Sequence, residues 1–285
     1  MQIEGWRYYN YAAIPTCTPH EPVDTAPLED GSIWKLTGKR GNKPLFAQWI
    51  TDFDCEAETA WWYVIKDTPF DINALKAKRR YEINKGIKNF EVRRIDPKEY
   101  AQQICDVTIA AFASYPEKYR PNVIRERHIQ EILGWDHAHI FLYGAFNRET
   151  GKLCGYARLE QKGIYIEFAV LRVVPGCEAR GINAAIVNGF LEAQKELLAN
   201  GGYISDGTRN IRHETTFQDY LEKYFGFRKA YCKLHIRYRW WLALAMKCLY
   251  PFRKLLLRLD GISMIHLINS LLKMEEYTAK RNKKV

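Results

Sequence analysis

The chain has 285 residues, enough to hold a sizeable core in one large domain or two small ones. Apolar residues make up 47% and charged residues 27%, ordinary for a soluble globular protein, and no apolar run reaches the roughly 18 residues that a spanning helix needs. The net charge of +10 favours anionic partners, nucleic acid or an acidic membrane among them.

The opening segment MQIEGWRYYNYAAIP has neither a basic stretch nor an apolar one, so no signal peptide is expected. Seven cysteines are scattered singly, without metal-ligand spacing, which reads as reduced thiols in a cytoplasmic protein with no metal site. Residues 1 to 70 read as strands and loops, with strand candidates at Phe46–Ile50 and Trp61–Ile65. The dense aromatics here suit core packing, with base or sugar stacking as the alternative.

From Asp71 to Ile87 a helix is expected with Asp71 as its cap, carrying Lys76, Lys78, Arg79, Arg80 and Lys85. Asp96-Pro97-Lys98-Glu99 is a strong helix start, with Asp as cap and Pro in the first turn. That helix runs to about Phe112, and a second follows near Asn122–Trp135. Strands follow at Ile140–Asn147, Leu153–Gln161 and Ile164–Val174, the last nearly continuous in apolar residues, as suits a strand covered on both faces. After the break at Pro175-Gly176, a helix starts near Gly181, and its unpaired N–H groups form an anion site. Gly176 and Gly181 read as positions where a side chain would obstruct a close ligand. Next come Tyr203–Asp206 as a strand, Thr216–Phe225 as a helix and Arg228–Tyr238 as a strand. Beyond Tyr238 the chain is helical in period, with ten Lys/Arg against three Asp/Glu from Arg239 onward. Such a basic amphipathic tail either lies in a membrane interface or packs on its own protein or a second subunit.

The order strand, two helices, three strands, helix, strand, helix, strand over Asn89 to Tyr238 resembles the GNAT superfamily of acyl-CoA-dependent N-acyltransferases. Val173-Val174-Pro175 stands where that family has Val-x-Pro, and Glu178-Ala179-Arg180-Gly181-Ile182-Asn183 where it has Arg/Gln-x-x-Gly-x-Gly/Ala. Gly181 matches, while Glu178 and Asn183 depart from the pattern. The Lys/Arg-rich helix leading into Phe90–Arg94 resembles, more loosely, the entry to the module of Fem-type (FemAB-like) peptidyltransferases, which take an amino acid from aminoacyl-tRNA. A solvated helix face explains the same charges.

The resemblance implies an α/β fold with a GNAT-like mixed central sheet flanked by helices. Residues 1–87 would form a β-rich segment plus the basic helix, residues 88–239 the acyltransferase domain, and residues 240–285 the helical tail. It implies transfer of an acyl group, acetyl first among them, from acetyl-CoA to a primary amine of an amino sugar, peptide or small metabolite. The alternatives are a Fem-type transferase with tRNA as partner, and a non-catalytic membrane- or partner-binding protein with a decayed GNAT fold. Val173, Val174, Arg180, Gly181, Ile182 and Asn183 would hold the donor, with Arg180 supplying the positive charge that Glu178 does not. Glu167, an acid inside an apolar strand, is the expected general base, and a salt-bridged core residue is the alternative. Tyr220 or Tyr224, four apart on one helical face, would protonate the departing thiolate, unless both simply pack. The family's usual tyrosine position holds Glu222. Asp206, Arg209 and His213 follow a strand end and would face substrate, or form a solvated loop before a cap at Thr215 or Thr216. The expected location is cytoplasmic, at the inner face of the membrane if the tail binds it.

Overall fold

The computed structural model describes the chain except for residues 40, 118–119, 212–215, 260–262 and 279–285. In chain order the elements are β1 (Trp6–Tyr9), β2 (Ala12–Pro15), α1 (Ala26–Glu29), β3 (Phe46–Thr51), β4 (Trp61–Lys66), α2 (Ala77–Asn89) and β5 (Phe90–Ile95). Then come α3 (Pro97–Ala113), α4 (Arg125–Leu133), β6 (Ile140–Asn147), β7 (Leu153–Lys162), β8 (Tyr165–Val173), α5 (Ile182–Ala193) and α6 (Lys195–Ala199). The chain continues through β9 (Tyr203–Thr208), α7 (Thr216–Phe225), β10 (Arg228–Tyr238), α8 (Trp240–Leu249), α9 (Arg253–Leu257) and α10 (Ser263–Glu276). These elements divide into two compact units, one comprising Met1–Tyr63, Thr208–Thr215 and Lys229–Val285, the other Val64–Gly207 and Thr216–Arg228.

In the second unit, β5, β6, β7 and β8 pair antiparallel in sequence order, and β9 adds parallel to β8. α3 and α4 cover one face through Ile104, Val107 and Ile132, which pack with Ile95, Leu142 and Tyr156. On the other face, Phe190 of α5 meets the rings of Tyr143 and Phe168. Two covered faces explain why β6 is almost wholly buried and reads as a continuous apolar run. α3 begins as expected: the Asp96 carboxylate accepts from the Lys98 N–H at 2.8 Å, with Pro97 in the first turn.

α2 corrects one expectation. Asp71 caps only a short 3₁₀ turn, Ile72–Ala74, accepting from the Asn73 N–H at 2.8 Å. Leu75 and Lys76 are extended, and the α-helix starts at Ala77. A side-chain cap satisfies one orphan donor but does not fix how far a helix runs.

In the first unit, β1 and β2 form an antiparallel hairpin, β2 pairs parallel with β3, and β3 pairs antiparallel with β10. The hairpin turn is Asn10-Tyr11, both at positive φ (45° and 65°), the geometry that matches strand twist in two-residue turns. One face of this sheet packs Trp6, Ala13 and Ala47 against Leu28, Ile33 and Leu36. The other packs Phe46, Leu234 and Ile236 against Met246 of α8 and Leu271, Leu272 and Met274 of α10. The last helix of the tail is thus part of a core. Among the described residues, no helix is long and apolar enough to cross a membrane.

Candidate active site

Of the expected site residues that the structure describes, Glu167 and Asp206 lie at one irregularity in the second unit, and those of the donor loop lie at the far end of the same strand. β8 pairs with β9 only at Tyr165↔Tyr203, Ile166↔Ile204 and Glu167↔Ser205. β8 then runs on to Val173 without β9 beside it in the ladder. The register shift between β7 and β8 falls at the same place, because Arg158 faces Val170 while Leu159 faces Phe168, leaving Ala169 as the extra residue. A bulge bends its strand and increases the local twist. A fork therefore opens between β8 and β9 just past Glu167 and Ser205.

Glu167 stands at the crotch of this fork, part-buried, and directly opposite Glu160 of β7. Glu160 accepts from Arg158 at 2.9 Å, and Arg158 also lies over the Trp135 ring at 5.0 Å. Asp206 is the residue after the last paired position of β9, so its side chain leaves the opposite face from Glu167. Burial pushes the Asp206 carboxyl up to about 7, although its hydrogen bond with Gln218 of α7 acts the other way. Within this unit the fork thus carries two carboxylates, one on each face, and one of them titrates near neutral pH.

At the far end of β8 the chain turns through Pro175-Gly176 and a 3₁₀ turn, Glu178–Arg180, into α5. The N–H groups of Cys177, Arg180, Gly181 and Ile182 are satisfied within the loop. Those of Asn183 and Ala184, in the first turn of α5, have no intrahelical acceptor. Asn183 also holds its side-chain Oδ1 buried without a partner. The side chains of Val173 and Ile182 meet over Gly155, and Val174 packs with the α3–α4 core, so these three offer a ligand only their backbone.

Gly181 has a packing role that its sequence does not show. Its φ is +85°, and an added Cβ would lie 2.9 Å from the Gly86 N of α2. In return, a Cβ on Gly86 would lie 2.3 Å from the Gly181 carbonyl oxygen. The glycines let α2 cross the loop at backbone contact. Arg180 is drawn to the same side: its guanidinium pairs with Glu149 at 3.3 Å and lies over the Phe90 ring at 5.5 Å.

α7 brings an aromatic row to the fork. Phe217 lies 6.0 Å from the Phe168 ring of β8, Tyr220 stacks on Phe217 at 5.9 Å, and Tyr224 lies 4.9 Å from Tyr220. Burial raises the Tyr220 hydroxyl well above its ordinary range, and Tyr224 and Glu82 of α2 add to the shift. Tyr220 is therefore protonated at any working pH. Arg209 belongs to the other unit. There it donates to the Ala60 carbonyl at 2.6 Å and is sandwiched between Trp62 and Tyr277, 4.0 Å from each ring. His213 lies outside the described residues.

One residue of the second unit has no sequence signal. Lys66, at the end of β4, is 4% exposed and donates to Thr68 Oγ1 at 2.6 Å. Burial lowers its pKa, against the opposing effect of Asp67. A lysine at a strand end ordinarily reads as exposed.

No protein-family model matches the chain, and no curated protein sequence matches it. Solved structures do. The structure of L-PGS from Bacillus licheniformis shares 11% identity with a TM-score of 0.50, over 82% of this chain and 79% of that one. FemX shares 9% identity with a TM-score of 0.49, over 79% and 81%. A PaiA N-acetyltransferase from Thermoplasma acidophilum, in complex with coenzyme A, shares 23% identity with a TM-score of 0.31, over 39% and 74%. The chain has a GNAT-like mixed α/β fold.

Proposed function

We propose that the protein is an N-acyltransferase that moves an acyl group, acetyl in the simplest case, from acyl-CoA to a primary amine. The observation that carries this reading is the fork between β8 and β9, with two carboxylates at its crotch and a helix N-terminus at its far end. The edge of β8 from Phe168 to Val173 is about 20 Å of backbone, long enough for an extended pantetheine arm. Its N–H and C=O groups, no longer paired with β9, take up that arm as an added strand would. The donor's phosphates meet the first turn of α5, and Asn183 Oδ1 accepts a donor N–H.

The chemistry follows from the two carboxylates and the tyrosine. An amine is mostly protonated at neutral pH, and Glu167 draws the ammonium to the fork by charge. Asp206, ionised above about pH 7, takes its proton. The free amine attacks the thioester carbonyl, forming the C–N bond; as the C–S bond breaks, the nitrogen releases its extra proton to solvent, as Asp206 then does the one it took. Tyr220 gives its proton to the departing sulfur and regains one from solvent. An amino sugar, a peptide or a small metabolite supplies the amine.

The basic helix supports a second reading. α2 crosses the donor loop at Gly86, and it carries Lys78, Arg79, Arg80 and Lys85, with Lys76 just before its first residue. A donor with many phosphates, an aminoacyl-tRNA, would be held along it.

Thiol release from acetyl-CoA with a panel of primary amines tests the leading reading. Asp206→Asn is expected to lower turnover by roughly 10²–10⁴, and Glu167→Gln to raise KM for the amine more than it lowers kcat. Wild-type turnover in Asp206→Asn, across pH, would remove the carboxylate from the mechanism.

A further inference from the structure

The tail divides into two parts with opposite environments. α10 is built into the core of its unit through Leu271, Leu272 and Met274. α8, the 3₁₀ turn Tyr250–Phe252 and α9 carry two apolar faces instead of one. Leu242, Met246, Leu249 and Leu256 pack inward on the sheet. Trp241, Leu244 and Cys248 share the outward face of α8, and Phe252, Leu255, Leu257 and Leu259 are exposed on the turn, on α9 and just after it, so both segments present apolar side chains outward. Trp240, at the start of α8, is 80% exposed. This outward apolar surface has no part in holding the fold together, and exposed apolar surface of this size marks an interaction site.

The charges identify what covers it. From Arg239 to Leu259 there are five Lys/Arg and no Asp/Glu. Arg239 is engaged by the Pro44 and Trp34 carbonyls, and Arg253 by Glu276. The other three, Lys247, Lys254 and Arg258, are exposed. Lys247 precedes Cys248, Lys254 precedes Leu255 and Arg258 precedes Leu259, so each cation adjoins an exposed residue of the apolar surface. Two copies of this surface would bring six uncompensated cations together, which disfavours self-association. A bilayer with anionic headgroups meets both components at once: the apolar side chains enter the acyl boundary, the cations stay at the headgroups, and tryptophans lie at the interface between them.

We propose that α8 and α9 dock this protein on an anionic membrane surface. The helices lie in the plane of the interface, with Leu244, Phe252 and Leu255 inserted. The docking is independent of the acyl-transfer reading.

The full-length protein mixed with vesicles of phosphatidylcholine alone, or with phosphatidylglycerol added, provides the test. Co-sedimentation is expected with the anionic vesicles, weakened by salt, and little with the neutral ones. Leu244→Ser/Phe252→Ser/Leu255→Ser should reduce it by roughly tenfold or more at an unchanged melting temperature, because these side chains face outward. Lys247→Glu/Lys254→Glu/Arg258→Glu should abolish the preference for anionic lipid, and it tests the proposal even if the serine variant folds poorly. Absence of co-sedimentation, binding unaffected by either variant, or a lipid-free oligomer that the serine variant dissolves would overturn it. The last result would assign the apolar surface to a second copy of the chain.

Discussion

A carboxyl buried without a cation beside it favours its protonated form, and Asp206 meets that condition in the second unit. Its folded-state pKa, about 7, lies above the ordinary 3.8, so between those values the folded protein binds the extra proton. Stability from this group is therefore present at low pH and lost as pH rises towards 7. Asp206→Asn removes the penalty: the variant should match the wild type near pH 4 and exceed it at pH 8 by roughly 1–3 kcal/mol, read as thermal or chemical denaturation at the two pH values. An equal difference at both would mean that the carboxyl is not buried in solution. The same substitution costs activity, the usual trade at a site held away from its stability optimum. Glu167 was legible in the sequence as an acid in an apolar strand; Asp206 was legible only as a polar residue at a strand end. What distinguishes it is burial against α7, which no periodicity records.

Several elements were readable because their periods are clean. β6, α7 and β10 have the bounds that the sequence suggests, and α5 starts one residue after Gly181. The β1–β2 hairpin was not readable: its turn, Asn10-Tyr11, has no glycine at the second position, where one is the usual marker. The fork was hidden for another reason. How far two parallel strands stay paired depends on a bulge at Ala169, a register shift against β7 that residue periodicity does not record. Gly181 was recognised, but its role required α2, a partner 95 residues away in sequence. This gives a prediction at the element scale. Gly86→Ala places a methyl 2.3 Å from the Gly181 carbonyl, where neither backbone can easily yield. A loss of roughly 2 kcal/mol or more is expected in urea unfolding. A variant as stable as the wild type would show that α2 does not cross the loop this closely. By the same geometry, substitution of Gly181 is no clean probe of donor binding, since it would disturb the fold itself.

Across the whole molecule, the +10 charge is distributed with purpose. One basic group lies on α2, next to the donor loop, and another on α8 and α9, where it adjoins an apolar surface. The sequence already suggested that the tail was amphipathic, but it could not separate α10, which is core, from the two helices before it, which are surface. The two charge groups also separate the two donors. Acyl-CoA presents compact phosphates to the first turn of α5, whereas a tRNA spreads its charge over many phosphates along α2 and would lose affinity steeply with salt. Calorimetric titration with acetyl-CoA, in the wild type and in Arg79→Glu/Arg80→Glu, tests the central claim most directly. Saturable one-to-one binding, nearly unchanged by the double reversal and only modestly weakened by salt, is the predicted result. No heat with acetyl-CoA, together with salt-sensitive binding of aminoacyl-tRNA that the double reversal abolishes, would contradict it.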